Sequence, residues 1–264
     1  MYMKKQLKLG LQSIRERINW LRAKPLNPQS AKIITVPINK CRHYCAFKYG
    51  SNTFNPYENY IIGLQKGVGL SEIRRQFEDF LLYFRPRNFG EVFDIELSRG
   101  IPLWVYPWQE VESFNSKMGW LDNLNEVPDI ITHFCEDGIK RSQIDEEYFW
   151  LERAYSTIAK QGYRPQDFSF VEAIEFNKED KNVYLLQDGN HRVSALAALG
   201  YEKVMIKVSQ SLSWDGENHR EWAQVRFGLY SEQDAIKLFN VYFFGVSGFR
   251  RSIQPAKIVE DTIN

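Results

Sequence analysis

Apolar residues along this chain recur first at helical and then at strand spacing. Over residues 4 to 22, Leu7, Leu11, Ile14, Ile18 and Leu21 fall on one helical stripe, with Lys4, Lys5, Lys8, Arg15, Arg17 and Arg22 around it. Pro25 ends that pattern. The run IITVPI, Ile33 to Ile38, predicts a short strand, and CRHYCAFKYGSNTFNPY after it carries the Gly, Ser, Asn and Pro of a loop. Helices are expected over Pro56 to Gln65 and over Ser71 to Phe84, the second with Ser71 as N-cap and Pro86 as its stop. IPLWVYPWQ, Ile101 to Gln109, predicts a strand broken by Pro107, with an aromatic density suited to core packing or to a cavity wall.

Residues 120 to 144 read as irregular around Pro128 and Gly138. From Asp145, DEEYFWLERAYSTIAKQGY regains a helical pattern in which Tyr148, Leu151, Tyr155 and Ile158 share a face and Gly162 is the C′ residue. Its first turn is expected to hold the acidic residues, as the helix dipole favours. FVEAIEF, Phe170 to Phe176, and NVYLLQ, Asn182 to Gln187, predict two strands. Asp188 to Arg192 then lead into a helix ending at Leu199 and Gly200, followed by a last strand, VMIKV. A helix pair over Glu221 to Gly245 is expected to close the core. DGENHR at Asp215 to Arg220 echoes DGNHR at Asp188 to Arg192, but it is one residue longer and has no predicted apolar strand ahead of it, so the echo reads as chance.

Composition narrows the classes. A chain of 264 residues with 44% hydrophobic, 25% charged and 15% aromatic residues describes a folded protein of one large or two small domains. A net charge of +1 provides no whole-molecule field for a long nucleic acid, so no nucleic-acid partner is expected. The charge is uneven, because seven Lys or Arg against one Glu in Met1 to Lys24 give that segment +6. A basic amphipathic helix can dock on a protein or lie on an anionic membrane surface. Cys41, Cys45 and Cys135, an odd number without a secretory signal, favour a reducing cytoplasm. No apolar run approaches the roughly 20 residues of a membrane span. The expected location is cytoplasmic, with peripheral contact at the inner membrane face through residues 1 to 24. Cys41, His43 and Cys45 lack a second ligand cluster with zinc spacing, and Cys135 with His133 adds little, so no metal site is assigned to protein ligands.

The chemistry concentrates at Asp-Gly-Asn-His-Arg. A strand that passes directly into VSALAALG places free backbone N–H groups at a helix N-terminus, which is an anion site. Gly189 removes a Cβ where a phosphate would approach, Asn190 and His191 can donate side-chain hydrogen bonds, and Arg192 can clamp phosphate oxygens.

These residues resemble the ParB/sulfiredoxin superfamily, whose members share a G-x-x-R element at this strand-to-helix junction, with His before Arg in the sulfiredoxin and kinase branches. DGNHRVSALAALGYEKVMIKV is similar to it, and the resemblance takes in the preceding Ser156, Thr157, Ile158, Gly162 and Tyr163, covering roughly residues 140 to 210. What it implies is a nucleotide, CTP, ATP or ADP in the family, with its phosphates on Gly189, Asn190, His191 and Arg192. In the kinase branch a glutamate near the start of the helix before the sheet is the general base toward a substrate hydroxyl. The matching positions are Glu146 and Glu147, with Glu147 favoured, while Asp188 would orient His191 or hold a magnesium ion. The sulfiredoxin reaction is not implied, since Asn190 stands where that branch has Cys. Residues 211 to 264 do not offer the helix-turn-helix that follows this domain in ParB proteins.

The expected architecture is therefore α/β or α+β. Its parts are a basic helix (1–24), an N-terminal region capping the acceptor site (25–139), a nucleotide-binding core (140–210) and a C-terminal helical closing segment (211–264). The function implied is an ATP- or ADP-dependent phosphotransferase acting with magnesium on a small-molecule or sugar hydroxyl. NPYENYI, FEDFLLYFRPRNFGE and YPW faintly resemble superfamily members associated with surface-polysaccharide synthesis. The alternatives are a non-catalytic ParB-like nucleotide switch and a scaffold at the membrane surface.

Overall fold

The computed structural model describes residues 31–50, 53, 55–83, 88–101, 105–108 and 141–246. The basic helix expected over residues 4 to 22, the irregular stretch before 141, and Cys135 with His133 lie outside the described residues.

The molecule is a mixed α/β structure built on one sheet. Five strands among the described residues, β1 (Ala31–Pro37), β2 (Cys41–Arg42), β3 (Val171–Lys178), β4 (Lys181–Asp188) and β5 (Lys203–Asp215), lie in the order β1-β5-β3-β4-β2. β3 and β4 form an antiparallel hairpin, β5 runs parallel to β3, β1 closes one edge antiparallel to β5, and β2 closes the other parallel to β4. Both edges thus come from residues 31–42, so the sheet extends beyond the 140–210 core. β2 falls in the stretch whose composition predicts a loop, since two residues are too few to carry a strand pattern.

Both faces of the sheet are covered. On one lie α1 (Pro56–Gln65), α2 (Leu70–Tyr83), α4 (Arg141–Gln161) and α6 (Asn190–Ala198), whose Tyr57, Phe77, Leu151 and Val193 pack with Val171 and Leu186. On the other lie α3 (Phe89–Phe93) and α8 (Glu232–Phe244), with Phe89, Phe239 and Tyr242 packed on Phe176 and Leu185. Two single-turn helices, α5 (Pro165–Phe168) and α7 (Ala223–Arg226), serve as connectors. Burial on both faces explains why β4 reads VYLL rather than alternating. In β3 the register slips around Ala173, so Val171 and Ala173 face one cluster while Ile174 and Phe176 face the other. Among the described residues no helix is long and apolar enough to cross a membrane.

Three expectations change. α2 begins at Leu70, with the Gly69 carbonyl accepting from Glu72 and Ile73, so Ser71 lies inside the first turn and is not the cap. α4 begins at Arg141, four residues before the expected start, because wholly buried Ile144 extends the stripe of Tyr148 and Leu151. Its first turn holds no acid, and the dipole account of Glu146 and Glu147 does not apply to second-turn residues. The segment from Ile101 forms no strand among its described residues. Trp108 instead packs edge-on against Phe176 and Trp222, and the Pro107 carbonyl accepts from Gln224, so this aromatic density is core.

Candidate functional site

β4 carries Asp188 to one end of the sheet, and Gly189 turns the chain into α6 at φ +88°, ψ 18°. A Cβ on Gly189 would stand 2.8 Å from Val171 Cγ2 and 3.0 Å from Arg192 Nη2. The left-handed turn and close packing on β3 therefore demand glycine here, before any phosphate is considered. No side chain caps α6, whose first bond runs from Val193 N–H to the Gly189 carbonyl. The amides of residues 190–192 precede that bond, at the positive end of the helix dipole.

Glu147 reaches this helix start from the second turn of α4, with Oε2 at 2.8 Å from His191 Nε2. The two side chains are 31% and 29% exposed, so the pair is neither sealed nor free. The segment from β2 into the first turn of α1 supplies an adjoining aromatic wall. The Tyr57 ring centre lies 5.8 Å from His191 and 4.8 Å from His43, and His43 packs 3.9 Å from Tyr44. The Tyr44 and Tyr57 hydroxyls are 3.1 Å apart, and the Tyr49 hydroxyl donates to Asn190 Oδ1 at 2.9 Å.

Burial sets the protonation of this wall. His43 is wholly buried, and its Nδ1 accepts the Cys45 N–H at 3.1 Å, which puts the proton on Nε2. That Nε2 has no acceptor among the described residues. Burial first, and His191 second, hold the His43 pKa well below the usual imidazole value, so the ring is neutral. Burial, then Tyr44 and Glu147, lift the Tyr57 phenol well above its usual range. Glu146 is raised as well, by burial and then by Glu147.

Arg192 takes another course. Its Nη2 donates to Asp188 Oδ2 at 2.9 Å and to the Phe170 carbonyl at 3.5 Å, while Nη1 donates to the Ser169 carbonyl at 2.5 Å and Ser169 Oγ at 3.2 Å. Ser169 sits at φ +79°, ψ 150°, a region otherwise left to glycine, and the guanidinium holds its carbonyl there. Arg192 thus clasps the start of β3 to the end of β4. Asp188 is spent on that clasp and does not orient His191, which Glu147 holds instead.

Among the described residues no group of three His, Cys, Asp or Glu could hold a metal ion. Burial pushes the Cys41 thiol up to about 12 and the Cys45 thiol higher, so both stay protonated and unsuited to ligation. The DGENHR echo does follow a strand, because β5 runs to Asp215, contrary to the expectation. It is nevertheless a structural corner: a Cβ on Gly216 would lie 2.7 Å from Phe239 Cε1, Asp215 accepts from the Glu217 N–H, and Arg220 pairs with Glu232 at 3.0 Å.

Glu147, Gly189, Asn190 and His191 are therefore brought together, and Asp188 and Arg192 lie beside them in a clasp. Tyr44, Tyr49 and Tyr57 carry no expectation from the sequence, and His43 enters it only beside Cys41 and Cys45 as a metal candidate that is set aside. Their signal was the His and Tyr density of CRHYCAFKYG and NPYENY, which carries no period to place it. Comparison with family models, with curated proteins and with solved structures finds no match.

Proposed function

We propose that this protein is a nucleotide-binding phosphotransferase that uses ATP or ADP to phosphorylate a hydroxyl compound. The observation that carries the reading is the approach of the Glu147 carboxylate to His191 at the uncapped N-terminus of α6. An anion acceptor and a proton acceptor are thereby side by side. Nucleotide phosphates accept from the first-turn amides of α6 and from the side-chain amide of Asn190, whose Oδ1 is already held by Tyr49. The acceptor hydroxyl attacks the terminal phosphorus, a new O–P bond forms as the bond to the departing nucleotide oxygen breaks, and the hydroxyl proton passes to Glu147. His191 steadies the carboxylate through one oxygen and leaves the other for this proton. Magnesium, arriving with the nucleotide, would neutralise the phosphoryl oxygens. Asp188 is partly exposed and has one oxygen held by Arg192, so its other oxygen would assist an ion held mainly by phosphates.

A second reading has its own support. Both pairs, His191 with Glu147 and Arg192 with Asp188, are satisfied within the protein, as expected if the motif only joins strand to helix in a non-catalytic switch. Thermal denaturation with ATP, ADP, CTP and GTP, with and without magnesium, separates the possibilities, since a ligand of the folded state raises its midpoint. A rise with ATP or ADP together with phosphoryl transfer supports the kinase. A rise without transfer supports the switch, and no rise with any nucleotide overturns both.

A further inference from the structure

A buried carboxyl is tied to the start of α6 through two intervening residues. Glu58, in the first turn of α1, is 3% exposed, and its Oε2 accepts the Gly50 N–H at 3.0 Å. Tyr49, next to Gly50 and itself buried, donates its hydroxyl to Asn190 Oδ1 at 2.9 Å. Asn190 is the first residue of α6. The other ties of the loop are neutral: Thr53 Oγ1 donates to the Gly50 carbonyl at 2.9 Å, and Asn55 Nδ2 to the Lys48 carbonyl at 3.2 Å. Glu58 alone among these ties can change its charge.

The surroundings leave that charge uncompensated. Burial raises the Glu58 pKa from 4.5 to about 7, the Gly50 N–H opposes the rise, and no charged group on α2, α4 or α6 contributes. From the adjoining loop the Tyr49 phenol, raised by burial first, also feels Cys41, Tyr44 and Glu58, and from α6 it meets the uncharged Asn190 and Ser194. The bond to Gly50 favours the anion, but burial outweighs it, so the ionised carboxyl gains by reaching water.

We infer that Glu58 is a proton-operated latch on Asn190: protonated, it holds the Gly50 backbone and, through Tyr49, the orientation of the Asn190 side chain; ionised, it releases Gly50, and Tyr49 parts from Asn190. A carboxyl with a higher pKa in the closed form than in the open one favours closure fully below the open value, and that preference is lost as pH rises through the closed value. Tyr49 is a positioning residue in this device. The latch operates in the ligand-free protein; that it orders an amide used by phosphate rests on the phosphotransferase reading.

Amide hydrogen exchange on the full chain without nucleotide tests the latch separately from that reading. Exchange of the Gly50 N–H is followed by NMR from about pH 5 to about pH 8 and corrected for base catalysis. Opening at Gly50 is expected to rise about fiftyfold over this range in the parent and to stay level in Glu58→Gln. Tyr49→Phe keeps the ring and loses the hydroxyl, so opening should rise about fivefold at every pH with the parent's pH dependence retained. The Glu58 carboxyl carbon resonance in the parent should titrate at about pH 7, a reading that needs no variant to fold. A level profile in the parent, the same rise in Glu58→Gln, or a Glu58 that titrates as an ordinary carboxylate overturns the latch. Gly50 exchange no faster than that of the slowest β4 amides overturns it too, since the loop then opens only with the whole fold. Exchange in Tyr49→Phe equal to the parent's overturns the coupling to Asn190.

Discussion

His191 Nε2 stands 2.8 Å from Glu147 Oε2, and this bond ties α4 to the start of α6. It fixes the tautomer of His191 when Glu147 is ionised, because the shared proton must then sit on Nε2. The same bond makes Glu147 a positioned carboxylate rather than a solvated one. Its neighbour Glu146, raised by burial and by Glu147, lacks any such anchor among the described residues.

Glu147→Gln should therefore separate chemistry from binding. The amide oxygen still accepts from His191 and keeps the packing, but it cannot take a proton. Phosphoryl transfer should fall about a hundredfold or more while nucleotide affinity stays nearly constant. Glu146→Gln is the control, with a much smaller loss. Single-turnover rates and equilibrium titration of the nucleotide check the pair; unchanged turnover would remove Glu147 from the mechanism.

Arg192→Ala is expected to act on the fold first. The side chain is only 19% exposed and holds the Ser169 carbonyl, the Ser169 hydroxyl and Asp188. Removing it leaves those acceptors short and releases the unusual backbone of Ser169, at a cost of about 2–3 kcal/mol. Arg192→Lys, a point charge that cannot span carbonyl and carboxylate together, should recover less than half of that. Denaturant unfolding of the three proteins reads the difference. If Arg192→Ala is as stable as the parent, the clasp has no structural weight and the arginine is available to phosphate after all.

Gly189→Ala tests the turn itself. The φ of +88° alone costs an alanine roughly 1–2 kcal/mol. The 2.8 Å approach to Val171 Cγ2 adds to this. In the Val171→Ala background that contact is gone, so the second substitution should cost measurably less there than in the parent. Additive losses, measured by the same unfolding, would show that conformation rather than packing fixes the glycine.

How far the sequence disclosed this arrangement follows from range. The hairpin of β3 and β4, α6 and its neighbours were legible because each has its own period and its own punctuation, Gly162 before β3 and Gly200 after α6. Glu147 could be singled out only through the family resemblance, and its meeting with His191 is a contact across 44 positions that no local pattern encodes. The edge strands and the tyrosine wall are likewise long-range. Tyr49 meets Asn190 across 141 positions, and two-residue β2 is a strand only because β4 lies beside it. For Arg192 the sequence suggests a phosphate clamp because it sits at a helix start; the acceptors that capture it instead include the Ser169 and Phe170 carbonyls, over twenty residues upstream.

The loop that presents Tyr49 is pinned by a carboxylate, and this makes stability depend on pH in a definite sense. Glu58 is 3% exposed and accepts the Gly50 N–H at 3.0 Å; burial raises its pKa from 4.5 to about 7, against a smaller lowering by that hydrogen bond. A carboxyl whose folded pKa lies above its unfolded one favours the folded state fully below the unfolded value and loses that advantage as pH rises through the folded value. Stability contributed by Glu58 should thus decline between about pH 4.5 and pH 7 and level off above, by about 3 kcal/mol in all. His43 works the other way, since its depressed pKa gives stability above its unfolded value that is lost as pH falls. The two trends oppose each other in the parent, so the parent curve alone does not isolate either. Glu58→Gln keeps an acceptor for the Gly50 N–H but cannot ionise, and it leaves His43 in place. The variant should be near the parent in stability at about pH 4.5 and more stable than it at about pH 8, with the difference growing through the interval. Denaturant midpoints across that range measure it. A difference that is flat, or that shrinks as pH rises, would mean that Glu58 is not held protonated by its burial and that the loop carrying Tyr49 is fixed by other contacts.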